Sequence, residues 1–271
     1  MKFGKIGLFI LLIVILAGTL FPLLWMFHSS LVEKNVSVTN LTESFQQDLT
    51  LKNYGEVFRQ APFGRFFFNS IFVAVVVTIG NLIFCSMVGY ALARKNFPLK
   101  RSLFLSILLV LMVPVHILII PLFILINKLG WYDTYWALII PWLVNPLGIF
   151  LMRQYIQTLP ADLEEAARID GAGEFKILFR IVMPLCKPAL AVVAIQVFLQ
   201  NWNSFLFPFI LTSSESMRTV PVALALYQGY QSIDWPHLFA ASGLSTLPIL
   251  AMFLLFQRQI VSGLTAGALK Q

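Results

Sequence analysis

An all-α integral membrane protein with six transmembrane helices is the architecture that composition, run length and charge placement impose on this chain of 271 residues. Hydrophobic residues make up 59% of it and charged residues only 11%, where a soluble domain carries about 25% charged residues. Mean hydropathy is +0.84. The apolar residues cluster in runs of about 20, the length a helix needs to cross roughly 30 Å of hydrocarbon. Lipid offers backbone amides no partner, so each crossing run must close its hydrogen bonds internally, as a helix. The charged residues fall in the gaps between runs.

The first span is expected at about 6–27, after Lys2 and Lys5. A basic start before an apolar run also describes a signal peptide, but this run outlasts the usual core of about 7–15 residues and no small-x-small cleavage site follows. It is read as an uncleaved span. A polar segment leads to the second span, about 66–91, which ends in the basic turn Arg94–Arg101. The third span, about 102–126, and the fourth, about 135–151, are separated by the turn Lys128–Thr134. A charged segment at about 160–184 follows, then a fifth span at about 188–211 and a sixth at about 238–256. The whole chain, 1–271, is expected to form a single transmembrane domain.

Six spans put both termini on one side. Of the 19 Lys and Arg residues, 13 fall on that side with the basic turn and the charged segment, and six on the other. Cytoplasmic loops carry the excess of Lys and Arg, so the termini and the charged segment are expected in the cytoplasm. The net charge of +7 therefore reports membrane orientation. No basic stripe with interleaved aromatics accompanies it, and no nucleic acid partner is expected. Cys85 and Cys186 lie at different depths and are expected as free thiols.

Within these boundaries the spans hold no Asp, Glu, Lys or Arg. Carriers driven by ion gradients need ionisable residues or broken-helix ion sites at mid-membrane. His28 and His116 are the only titratable candidates, and packed, hydrogen-bonded roles are expected for them. No GxxxxGK[ST] loop is present, so the chain has no phosphate cradle of that kind. Neither a metal-ligand cluster nor a nucleophile–base set appears, and no catalytic or metal-binding residue is assigned. Uphill transport would have to draw its energy from another chain. A secondary carrier, a channel and a membrane-embedded enzyme are the rival classes.

The segment Pro160–Pro184 carries five acids and three bases in an otherwise greasy chain. It reads as two short helices. Pro160 and Asp162 mark the first start, with Asp162, Glu164 and Glu165 in the first turn, where the helix dipole favours acids. Gly171 and Gly173 mark the stop. The second starts near Glu174, places Phe175, Leu178, Phe179 and Val182 at helical spacing, and stops at Pro184. Ala166 and Ala167 beside Glu165 leave a low surface flanked by a charge, which suits a closely docking partner with a basic residue. An amphipathic helix resting on headgroups is the plain alternative, but such helices favour Lys and Arg.

Glu165-Ala166-Ala167, Gly171 after three residues, and Ile181-x-Met183-Pro184 after nine more resemble the EAA loop of binding-protein-dependent ABC importer permeases; Met183 stands in place of Leu. Leu49–Tyr54, Asn69–Ser70, Asn201–Pro208 and Gly263–Ala268 extend the resemblance to the carbohydrate branch, specifically the smaller maltose-type permease. The resemblance implies a type I ABC importer permease fold in the bacterial cytoplasmic (inner) membrane, multi-pass, with a coupling loop between spans four and five. Implied partners are a homologous second permease, two ATPase subunits and an extracytoplasmic sugar-binding protein. ATP and Mg would be bound by the partner ATPase, and no cofactor by this chain. Carried over, the coupling residues are Glu164, Glu165, Ala166, Ala167, Asp170, Gly171, Ile181 and Pro184, with Glu165 bonding a basic residue of the ATPase and Gly171 making the turn. Glycerol phosphate, a polyol or an oligopeptide remain alternative solutes within the same superfamily.

The fifth span gathers amides and aromatics, of which Gln200, Asn201, Asn203 and Phe205 are candidates for the translocation pathway. Amides buried in a bundle need partners or water, and interhelical hydrogen bonding explains them equally well. The segment between the last two spans contributes Gln228, Tyr230 and Trp235 as candidates for contact with the binding protein.

Overall fold

The computed structural model describes residues 2–33, 45–226 and 234–268. Among them the chain is almost wholly helical. It forms two compact units, Met1–Phe67 with Ala223–Leu247, and Phe68–Val222 with Pro248–Gln271.

In the first unit, α1 (Lys2–Ser30) is apolar on every side, and Leu8, Phe9 and Ile13 are each more than half exposed. A helix hydrophobic all round has to be surrounded by an apolar medium. Its C-terminal carbonyls are closed by α2 (Lys52–Gln60). The Asn53 amide donates to the Ser30 and Val32 carbonyls, both at 2.8 Å, and the Tyr54 hydroxyl meets Ser30 Oγ at 2.7 Å. Helix ends leave such carbonyls without intrahelical partners. His237, at the start of the last helix, is held by Asp234 Oδ2 at 2.6 Å and Glu56 Oε2 at 2.9 Å. His28 packs against Trp25 and Phe45.

The second unit is built on α3 (Phe63–Arg94). Small residues on α3 admit its neighbours closely. A Cβ on Gly80 would strike Leu143, and one on Gly89 would lie 2.8 Å from Met152 Cβ and 3.0 Å from the Arg153 amide. Buried Asn81 bridges the Val77 carbonyl at 2.9 Å and the Trp142 carbonyl at 2.7 Å. That second acceptor lies on a 3₁₀ turn, Ile140–Trp142.

Next come α4 (Lys100–Leu111), a 3₁₀ turn at Val115–Leu118 and α5 (Ile119–Lys128). The chain bends by 92° between Leu111 and Val115, beside Pro114, where a missing N–H and a fixed φ stop the helix. The expected third span is thus a broken one. Helices α6 (Tyr135–Ile139) and α7 (Pro146–Gln157) follow, the latter capped by Asn145 Oδ1 on the Leu147 amide at 2.9 Å. After the charged segment, α10 (Lys187–Trp202) and α11 (Leu206–Leu211) split the expected fifth span at 203–205. Helices α12 (Val220–Leu226) and α13 (Trp235–Ala268) complete the chain. Among the described residues, four helices are long and apolar enough to cross a membrane, or up to six if each of two bent pairs is one span.

Two polar knots fasten the loops of the second unit. Asp133, at φ 58°, accepts from the Ser213 and Ser214 amides at 2.9 and 3.1 Å. Burial would raise its carboxyl, but those donors outweigh it and hold it below the ordinary value. The Asn69 amide donates to the Ser216 and Arg218 carbonyls at 2.9 and 2.8 Å, and Tyr135 donates to its oxygen at 2.6 Å.

Candidate functional site

The charged segment folds as α8 (Asp162–Ile169) and α9 (Glu174–Leu185), joined by the turn 170–173. Gly171 adopts φ 78°, and its N–H donates to the Arg168 carbonyl at 3.0 Å. The Ala172 N–H reaches back to the Ala167 carbonyl at 2.9 Å. This pair of bonds is a Schellman stop, which needs a left-handed residue and therefore favours glycine. Gly173 is extended and precedes the first turn of α9. The helix does not stop at Pro184 but runs to Leu185, passing through a π-helical stretch at Leu178–Val182. Pro184 has no N–H to return to the preceding turn, and the wider stretch accommodates that loss.

The two adjacent glutamates of α8 differ in burial. Glu164 is 2% exposed. Arg94 Nε donates to its Oε1 at 2.7 Å and Tyr90 Oη to its Oε2 at 3.1 Å. Arg94 also donates to the Leu159 carbonyl at 2.6 Å, fixing the entry to α8. Tyr90 is shared with Glu174 at 2.8 Å, and Arg168 Nε donates to the other Glu174 oxygen at 3.0 Å. Lys95 completes the cluster on Glu174 at 2.5 Å. The hydrogen bond from Arg168, and next that from Lys95, hold the Glu174 carboxyl at about 2. Charge-assisted bonds of this kind are short and geometrically selective, so the cluster ties α8 and α9 to the end of α3. Sequence reasoning passed over Tyr90, Arg94 and Lys95; the available signal was that the segment's surplus of acids needed basic partners from a neighbouring helix end.

The opposite surface is open. Glu165, Ala166 and Asp170 are exposed and Ala167 is half-buried. Beside them, Leu163 is 48% exposed, Phe175 68% and Ile169 86%. Leu178 and Val182 pack inward, whereas Phe175 and Phe179 of the same expected stripe face out. Ile181 is half-buried and Pro184 exposed. The face therefore offers apolar contact area, a shallow floor at Ala166 and exposed carboxylates at its edge, which suits a partner's backbone and a basic side chain.

The fifth-span candidates separate. Gln200 accepts from the Asn145 amide at 3.2 Å, bridging α10 to α7. The Asn201 side chain returns to the Val197 carbonyl of its own helix at 2.8 Å. Asn203 caps α10 and is exposed, and Phe205 stacks on Phe209 at 5.2 Å. Trp235 stacks on Phe239 at 5.6 Å. Gln228 and Tyr230 lie outside the described residues.

Residues 85–265 match the family described as the binding-protein-dependent transport system inner membrane component. The chain belongs to that family. It is thus a permease subunit of an ABC importer, embedded in a membrane; it is not itself an enzyme, and the ATPase is a separate partner. The trehalose/maltose transport system permease protein MalG of Thermococcus litoralis is 40% identical over 93% of this chain and 91% of its own. The arabinooligosaccharides transport system permease protein AraQ of Halalkalibacterium halodurans is 41% identical over 82% and 80%. The trehalose transport system permease protein SugB of Mycobacterium tuberculosis is 36% identical over 93% and 92%. A bacterial ABC transporter involved in importing alginate, solved by crystallography, shares the fold with this permease. Its TM-score is 0.80 at 24% identity, covering 95% of this chain and 96% of that one.

Proposed function

We propose that this permease carries a sugar, and that the open face of α8 seats it on an ATPase subunit. The reading pairs it with a homologous second permease, two ATPases that bind ATP and Mg, and an extracytoplasmic sugar-binding protein. Both termini and the α8–α9 segment then lie in the cytoplasm and the permease in the bacterial inner membrane. What carries the coupling role is the opposed pair Glu164 and Glu165. One carboxylate fastens the segment to α3, and its neighbour is left free on a face with Ala166 and Ile169. Motion imposed on that face would reach α3 as a rigid displacement, because the Arg94–Glu164 contact is buried.

Glu165 is the residue proposed to bond a partner's basic side chain, with Ala166, Ala167 and Asp170 around it, Gly171 as the turn, and Ile181 and Pro184 supporting α9. Gln200, Asn201, Asn203 and Phe205 are proposed to line the pathway, and Gln228, Tyr230 and Trp235 to meet the binding protein. The sugar class draws support from relatives named for arabinooligosaccharides, trehalose/maltose and trehalose. The test is ATP hydrolysis by the reconstituted importer with its cognate binding protein. Sugars should stimulate it in the wild type. A Glu165→Ala, Ala166→Trp variant should lose both stimulation and the co-purifying ATPase. Stimulation only by glycerol phosphate or a polyol would replace the sugar reading.

A further inference from the structure

A cleft of about 430 Å³ opens where α4 meets α7, lined by Phe97, Leu99, Lys100, Arg101, Phe104 and Arg153. Three of its six lining residues are cations and none is an acid. The only carboxylate between Arg94 and Gln157 in the sequence is Asp133, which is engaged by Ser213 and Ser214. The Arg153 guanidinium carbon lies over the Phe104 ring, 3.9 Å from its centroid. That contact restricts a side chain whose planar fork carries several N–H donors. Arg153 Nε is buried with no hydrogen-bond partner among the described residues, and a buried donor without a partner is a costly arrangement for a chain to keep. Arg101 is exposed and makes no hydrogen bond or ion pair with the described residues. Lys100 is half-buried and donates to the Lys95 carbonyl at 2.6 Å.

We propose that this cleft binds the phosphodiester headgroup of an anionic phospholipid. The charge complement is a monoanion or dianion with several acceptor oxygens, and Arg153 presents the fork that pairs with it. The apolar rim argues for a lipid over a free anion. Leu99 is 79% exposed at the mouth, and Leu103, Leu105 and Leu109 continue an exposed apolar surface along α4, which has no buried residue. Acyl chains would lie on that surface while the phosphate enters between the cations, as basic pockets between transmembrane helices do for acidic lipids. The proposal rests on membrane embedding alone and is independent of the solute carried.

The full-length protein, purified in detergent and stripped of lipid, can be titrated with phosphatidylglycerol and with phosphatidylcholine of the same acyl chains and followed by native mass spectrometry. Wild type should retain one phosphatidylglycerol at roughly tenfold lower concentration than phosphatidylcholine, and Arg153→Gln should erase most of that preference. Arg101→Gln, at an exposed and unpaired position, should weaken it in a protein whose folding is not in question. Millimolar inorganic phosphate should leave the lipid in place. Equal retention of the two lipids, an unchanged preference in both variants, or displacement by inorganic phosphate would overturn the proposal. So would efficient cross-linking of Arg101→Cys to another protein subunit, which would make the cleft a protein interface.

Discussion

Arg94 and Glu164 form an ion pair at 2.7 Å with side chains only 15% and 3% exposed. Removing one member of a buried pair strands the other charge, at a cost of about 3–5 kcal/mol. Arg94→Ala should therefore lower the unfolding midpoint of the purified permease far more than Lys95→Ala, because Lys95 sits on a half-exposed pair and such pairs are worth about 0–1 kcal/mol. Equal effects in thermal unfolding would show that Glu164 is not held as described.

Gly171→Ala isolates backbone strain. A Cβ there meets nothing within 4 Å, but φ is 78°, and Ala in that region costs about 1 kcal/mol or more. Gly171→Asn should cost less, since Asn tolerates the left-handed region. Gly55→Ala, equally uncrowded and without a positive φ, should not destabilise the helix it sits in.

Gly89→Val tests helix approach. The α7 backbone at Arg153 lies 3.0 Å from the site of a Cβ, so the helices must separate. We expect about 1–3 kcal/mol of destabilisation and a matching loss of transport in an uptake assay. Gly7→Val, with open space around it, should leave both unchanged.

The acid dependence of the α8–α9 fastening follows from Glu174. Its carboxyl is held at about 2 against an ordinary 4.5. A depressed folded pKa contributes stability that is fully present above the unfolded value and lost as pH falls through the folded one. Hydrogen exchange in the turn 170–173 should thus be insensitive to this group from neutral pH down to about 4.5, and the contribution should then fade toward 2. Glu174→Gln should abolish the acid-induced part. A change centred near neutrality would assign the dependence to another group.

The long apolar helices were legible because apolar run length decides them locally, whereas α2 and α12, which lie outside such runs, were not. The Gly171 stop could be read because residue type decides it locally. The bend near Pro114 and the break at 203–205 do not show in run length; Pro114 was an available local signal for the first, whereas 203–205 holds no proline. At the site, spacing separated the charged segment from its surroundings but could not orient Glu164 against Glu165. That choice is made by Tyr90 and Arg94, seventy-odd residues away in sequence. Asn53 and Asn69 show the same limit, because their value lies in remote carbonyls they close.

On the proposed docking, the open face of α8 meets the ATPase while the Glu164 face does not. Cysteine cross-linking tests it directly, since the native Cys85 and Cys186 are both buried. In the intact importer, Ala166→Cys should cross-link to the ATPase subunit in high yield, and the yield should change when ATP is supplied. Absence of any ATPase adduct at Ala166, with adducts forming instead from Lys95→Cys, would contradict this docking.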